Sequence, residues 1–452
     1  MPRIISVLCV LLAFGCGDSD KNNIANNSRM PTDDMTLPDE GADISFEDQD
    51  EDSGVEEEVG PIDPNDCLAA MDFESTIVID SEGRSGQFYS TAAFDGLGVW
   101  VAYTAPYKAD VSDEGIFVTQ LGCDGSVIVP PQMVSPNAEA RNYMPVIDSR
   151  HGRTVVLWVH QPNSGNEKFT YFQAFGRGGQ PLFDAPVDVT PKIEEQSISE
   201  TAWSPAIAVG RDIFYHVAEA LGPDTQVVVQ RIGWDGEVRD VFFASEEKDV
   251  NQRYPSVAAM ADGGAVVSWT REPEMGAEKT YYTRIAARAT AGTQAQPAQA
   301  MGNPNPLAVL APAPTPSGDA FLAFQSTTNN ASQILVRNVA EGATAVHTVF
   351  GASNFINFRP TLRSSSQGGA LAWYRYTNSP QRNAVVLQPF SYVNGAFTQD
   401  EVVVVLASFQ AIPPYGPGLT PVAPNAWFVT WTQGDSAPDA RVLGRFVRGG
   451  GL

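Results

Sequence analysis

The sequence predicts an all-β protein folded as a seven-bladed β-propeller, and three observations carry that expectation. A tryptophan or a substitute returns at Tyr103, Trp158, His216, Trp269, Phe324, Trp373 and Trp431, spaced by 55, 58, 53, 55, 49 and 58 residues. Most of these anchors close a short apolar run: VVLW at Trp158, FLAF at Phe324, ALAW at Trp373, FVTW at Trp431. No run keeps a helical spacing of apolar residues over any length. A unit of this size cannot bury its own apolar face, so its copies must pack on one another. Seven copies make seven blades.

The clearest copy starts at Arg253 and shows why each element forms. Pro255 opens a strand of small residues, Ser256-Val257-Ala258-Ala259. Innermost propeller strands crowd round a narrow axis, where Ala and Ser fit. Asp262-Gly263-Gly264 supplies a turn, since glycine takes positive φ at little cost. Ala265 to Trp269 is a β-branched and aromatic second strand, and Tyr281 to Ala287 a third. Prolines recur at Pro145, Pro205 and Pro360, with looser equivalents at Pro312 and Pro421. Third strands recur at 227–232, 334–339, 384–390 and 441–446. Asp124-Gly125 and Asp235-Gly236 read as hairpin turns into fourth strands.

The last repeat ends after its third strand, while an orphan strand, Ser75 to Asp80, precedes the first. That segment is expected to complete the seventh blade and so remove an exposed sheet edge.

Residues 1–16 combine one arginine, an apolar run from Ile4 to Phe14 and then Gly15-Cys16. The run is too short to span a bilayer and reads as a signal peptide. Ala13-Phe14-Gly15-Cys16 resembles the bacterial lipobox, in which the cysteine carries the lipid; the alternative is an ordinary secretory signal that contains a cysteine. Cys9 would leave with the signal. Cys67 and Cys123 remain. Cys67 precedes the closing strand and Cys123 ends the third strand of the first blade, so both should fall at one outer rim on neighbouring blades, and in an oxidising compartment a disulfide between them is expected, the alternative being two free thiols. Residues 17–66 hold 17 acidic side chains against Lys21 and Arg29. Such a segment self-repels and stays extended as a linker. Asp48, Asp50 and Asp52 alternate as in a calcium loop, but Ser53 and Val59 stand where that loop needs Gly and Glu, so diffuse cation binding is expected there. The domain from 67 to 452 is the propeller. It is acidic, with no basic stripe, which argues against nucleic acid.

The segments YPSVAAMADGGAVVSW and YYTRIAARATAG resemble a repeat of secreted and surface bacterial proteins: Pro-x-Val-Ala, a glycine turn, an apolar strand ending in Trp, then a third strand and a second glycine turn. The resemblance covers most of residues 89–449. It implies propeller architecture, an extracellular setting and no particular activity. His216 and Phe324 depart from its Trp. Trp234-Asp235 sits where a WD40 dipeptide would not, the sialidase-type aspartate box is absent, and the doubled glycines precede the second strand instead of following it as in kelch blades.

Chemistry is harder to read. His151, His160, His216 and His347 show no metal-ligand spacing, and no nucleophile elbow, phosphate loop or dinucleotide fingerprint occurs. No metal or cofactor is expected. His216 reads as core and His160 as lying near a ligand-facing rim. The residues just before the first strands should ring the channel mouth: Tyr89, Arg141, Tyr143, Trp203, Arg253, Tyr254, Phe358, Arg359 and Tyr415. Aromatic rings with arginine suit sugar stacking, carboxylate pairing or a protein hot spot; they also suit plain packing of loops over blades. The expected function is a non-catalytic binding or scaffold module for a protein or glycan, monomeric, held at the bacterial outer membrane only by its lipid. A carbohydrate-active enzyme, glycosidase or lyase, with its groups converging from several blades at the channel mouth is the alternative, and a structural spacer a third.

Overall fold

The computed structural model describes residues 63–449 apart from 81, 85, 108–112, 137–139, 151, 193–204, 222–223, 246, 248–249, 273–278, 289–295, 298–302, 314–318, 329–330, 340–347, 352–355, 367, 379–380, 408–415 and 435–438. The chain divides into a unit of residues 1–58, none of them described, and a unit Val59–Leu452 that carries the propeller. The signal peptide, Cys16, the linker up to residue 62, His151, His347, Trp203 and Tyr415 lie outside the described residues.

Seven antiparallel sheets follow one another along the chain. The first blade runs Phe88–Phe94, Val99–Pro106, Glu114–Leu121 and Val127–Met133, and the next five repeat that inner-to-outer order. In the sixth, the third strand Gln381–Val393 is long and pairs with two outer segments, Ala396–Gln399 and Val403–Ala407. The seven anchors sit on second strands and are at most 1% exposed, which makes them blade core. Burying a side chain of that size contributes roughly 1.5–3 kcal/mol. Neighbouring blades share these cores: Trp100 stacks on Phe175 at 4.9 Å, in a cluster that also holds Trp158.

The ring closes as the sequence predicts. Ile77–Val78 pairs antiparallel with Arg441–Arg448, Ile77 opposite Gly444 and Val78 opposite Leu443. The Ile79 amide continues the ladder to the Val442 carbonyl at 3.2 Å. Gly444 is required for this fit, since a Cβ there would lie 2.9 Å from Ile79 Cδ1 and closer still to the Phe428 ring. Arg445 fastens the incoming chain by donating from Nε and Nη2 to the Phe73 carbonyl, at 2.8 and 2.7 Å. The structure adds a short helix that no apolar spacing announced, Pro64–Ala70, capped by the Asp63 carboxylate on the Asn65 amide. It carries Cys67, which is bonded to Cys123 with the two Cα atoms 5.2 Å apart. The closing segment is thus tied to the first blade, while its strand belongs to the seventh.

The bulk of the second and third strands leaves the axis to small side chains. Ala92-Ala93, Ala206, Ala208 and Ala258-Ala259 lie on inner strands. In the seventh blade the inner strand comes so close to the first that a Cβ on Gly418 would lie 3.1 Å from the Thr91 Cα.

Candidate functional site at the channel mouth

Four inner strands combine a slip in pairing register with a left-handed residue. The pairing register slips between Phe88 and Thr91, Tyr143 and Val146, Arg253 and Ser256, and Phe358 and Thr361. Within each slip one residue takes a left-handed backbone: Tyr89 (φ 55), Met144 (φ 56), Tyr254 (φ 55) and Arg359 (φ 57). Three of them precede a proline, Pro145, Pro255 and Pro360, a position that itself favours extended backbone. Left-handed backbone at a residue other than glycine costs about 1–2 kcal/mol, and such strain concentrates where a site needs it. Here the slip turns one large side chain per blade toward the axis.

An amide two residues earlier holds each slip. Gln87 accepts from the Val442 amide at 2.8 Å, and Asn142 donates to the Glu114 carbonyl at 3.1 Å. Gln252 accepts from the Val227 amide at 3.3 Å, and Asn357 donates to the Ser332 carbonyl at 2.9 Å. Each bond reaches the preceding blade. At Tyr254 the left-handed backbone N–H is taken up by Glu219 Oε1 at 2.6 Å, so a buried carboxylate fixes the strained conformation.

All seven inner strands line a cavity of about 240 Å³ on the axis. Tyr89, Met144, Tyr254 and Arg359 form its rim, and Ser90, Thr91, Ser256 and Thr361 add hydroxyls among Pro, Val, Ile and Leu. No Asp or Glu is among the described residues that line it. Of the residues expected at the mouth, Tyr89, Tyr254 and Arg359 line the cavity and Arg141, Tyr143, Arg253 and His160 do not. Tyr143 is buried with its hydroxyl 3.2 Å from Gln161 Oε1. Arg141 lies over the Tyr143 ring, 5.4 Å from its centroid, and donates to Glu114 at 3.3 Å. Arg253 pairs with Glu272 at 3.1 Å. His160 is buried, 2.8 Å from Asn142 Oδ1 and edge-on to Tyr171. For Phe358 the backbone alone is described. Met144 lines the cavity and was not singled out in the sequence. Its signal is its place directly before a strand-opening proline, shared with Tyr254 and Arg359.

Burial sets the electrostatics. It raises the Tyr89 phenol, helped by the Glu114 charge and opposed by Arg141 and Arg359. It raises Tyr254 in the same way, with Glu219 and Glu272 adding to it. It also raises the Glu114 carboxyl, against the pull of Arg141. The rim therefore presents protonated phenols beside guanidinium groups, equipment for donating hydrogen bonds to an anion or a sugar. Among the described residues no cluster of side chains has the makeup of a metal site, and no helix is long and apolar enough to cross a membrane.

No protein-family model matches the chain, and no curated protein sequence matches it. Solved structures do. A PL25 ulvan lyase, a polysaccharide lyase bound to -[GlcA(1-4)Rha3S]-, is similar over 81% of this chain and 95% of its own, at 9% identity and a TM-score of 0.53. A protein of unknown function from Dyadobacter fermentans is similar over 83% of this chain and 98% of its own, at 11% identity and a TM-score of 0.49. An α-L-arabinanase from Penicillium chrysogenum is similar over 70% and 98%, at 11% identity and a TM-score of 0.45. At these identities the likeness is one of fold: the chain, with its seven antiparallel sheets, shares a β-propeller-type fold with the PL25 ulvan lyase.

Proposed function

We propose that this protein is a carbohydrate-active propeller that takes an acidic glycan at the mouth of its central channel. The observation that carries the reading is the rim: Tyr89, Tyr254 and Arg359 are held toward the axis by strained backbone, with no carboxylate among the described lining residues. An arginine beside phenols suits a sugar that bears a negative charge. The PL25 ulvan lyase, whose bound ligand contains glucuronate, supports the choice. Within the carbohydrate-active class, elimination fits this mouth better than hydrolysis. Glycoside hydrolysis ordinarily uses two carboxyl groups flanking the scissile bond. Elimination needs the uronate charge neutralised, the proton alpha to the carboxylate taken by a base, and a proton given to the leaving oxygen; on the described rim the guanidinium suits the first role and a protonated phenol the last, with the base supplied from outside those residues.

A binding module without turnover is the second reading, and the phenols favour it. Burial holds both in the protonated form, in which they donate hydrogen bonds and do not act as bases. One experiment separates the two. The protein is mixed with a panel of acidic and neutral polysaccharides, and both retention and the ultraviolet absorbance of unsaturated uronate are followed, with the triple variant Tyr89→Phe, Tyr254→Phe, Arg359→Ala alongside. Acid-specific product lost in the variant supports elimination. Acid-specific retention without product supports the binding module. Neither signal from any acidic glycan would overturn the proposal.

The reading includes a lipid anchor at Cys16 and a place at the bacterial cell envelope, supported by Ala13-Phe14-Gly15-Cys16 after a short apolar run. Metabolic labelling with a fatty acid, lost in Cys16→Ser, tests it.

A further inference from the structure

The channel is not one bore. A second cavity of about 330 Å³ lies further along the axis, again lined by all seven inner strands, and Asp148, Ser149, Arg150 and Thr420 are among its polar residues. Ile207, Val257, Leu310 and Arg363 border both cavities. They stand where the two cavities meet, and Arg363 is the charged residue among these four. The mouth cavity is therefore a well with a cationic floor. Arg359 stands at its rim and Arg363 at its bottom, on the same inner strand, Ile356–Ser365. Across the axis in the second blade is Asp148, whose Oδ2 accepts from the Val209 amide at 2.7 Å and so ties the second blade to the third. Burial raises the Asp148 carboxyl, and the Arg363 charge pulls against that shift. Arg363 itself makes one long hydrogen bond, 3.4 Å, to the Leu362 carbonyl.

The size of the well limits what reaches that floor. The mouth cavity, at about 240 Å³, falls below the roughly 300–1,000 Å³ of drug-sized pockets. A space of that size suits a single sugar residue. A polymer lying across the mouth meets Tyr89, Tyr254 and Arg359 only. To meet Arg363, a glycan must insert an end or a branch.

We propose that the well reads a chain end: a single terminal or branch sugar enters it and its carboxylate or sulfate pairs with Arg363, the specificity-determining residue. This rests on the acidic-glycan reading of the mouth and deepens it. The walls match such a guest, with the Ser256 and Thr361 hydroxyls for polar edges and Pro145, Pro205 and Pro255 for the apolar face of a ring.

The test uses the full chain and equilibrium titration. Glucuronic acid should bind and its methyl ester should bind at least tenfold more weakly, the value of losing a charge-assisted hydrogen bond; glucose 6-sulfate against glucose makes the same comparison for sulfate. Arg363→Gln, checked for an unchanged near-ultraviolet circular dichroism spectrum, should lose the preference for whichever acid the wild type prefers. Sites per gram of an acidic polysaccharide should rise in step with chain ends as the polymer is cut shorter. Equal binding of acid and neutral sugar by the wild type, or a site count indifferent to chain length, would overturn the inference while leaving acidic-glycan capture at the rim intact. Absence of any acidic-glycan binding would overturn both.

Discussion

Asn357 accepts a hydrogen bond from the indole Nε1 of Trp373 at 2.8 Å, so the amide that clasps the fifth blade also holds the core tryptophan of the sixth. Asn142 repeats the arrangement with Trp158 at 3.2 Å and the Glu114 carbonyl. One side chain therefore couples three things: blade core, blade-to-blade contact, and the slip that turns Met144 or Arg359 toward the axis.

The clasp should be costly to remove. Asn357→Leu leaves the Trp373 N–H and the Ser332 carbonyl buried without that partner, and such groups cost about 1–3 kcal/mol each. Denaturant unfolding should show a loss of at least 2 kcal/mol, with a shift in tryptophan emission. An unchanged midpoint would mean that water takes over these bonds.

The disulfide should matter more for closure than for the blades. Cys67 and Cys123 are 56 residues apart, and closing a loop of that length restricts the unfolded chain by about 4 kcal/mol in the entropic model. Cys67→Ser with Cys123→Ser should lower the melting temperature and expose the 63–80 segment to protease first. Cleavage appearing first elsewhere would show that the Ile77–Val78 pairing holds without the bond.

Architecture was legible in the sequence because blade core demands bulk at fixed intervals: Trp158, Trp269, Trp373 and Trp431 could be counted. Closure was legible because an orphan strand and a missing strand are complementary, and the same complementarity left Cys67 and Cys123 as neighbours. The mouth was legible only to within one residue. Tyr143 was singled out where Met144 is the residue that faces the axis, because the left-handed turn that decides between them leaves no mark on composition. Glu219, Glu114 and Arg363 reach the site from strands whose sequence announces only a blade. Rim and floor are products of tertiary packing, and an isolated repeat does not encode which blade supplies which charge.

Strain at the rim gives a test that separates backbone from side chain. Arg359→Gly and Arg359→Ala both delete the guanidinium, but only glycine accepts φ near 57° without penalty. The glycine variant should be the more stable of the two by about 1 kcal/mol, while both lose acidic-glycan retention. Equal stabilities would mean that the Pro360 turn relaxes when the side chain goes.

His216 stands where most other blades have tryptophan and gives the third blade a pH dependence of its own. It is fully buried, with Nδ1 2.7 Å from Gln230 Oε1, and burial lowers its pKa to about 4 despite that bond. The folded value lies below the ordinary 6.5, so the unfolded chain takes up the proton first as the pH falls. Stability from this group is complete above about pH 6.5 and drains away between there and pH 4. At pH 4.5 the deficit amounts to about 2–3 kcal/mol. His216→Phe removes the titration, so the stability lost between pH 7 and pH 4.5 should be smaller in the variant by that amount, read from urea midpoints at the two values. Carboxylates elsewhere titrate in both proteins and cancel in the difference. Equal losses would mean that the third blade opens enough to let the imidazole protonate in place.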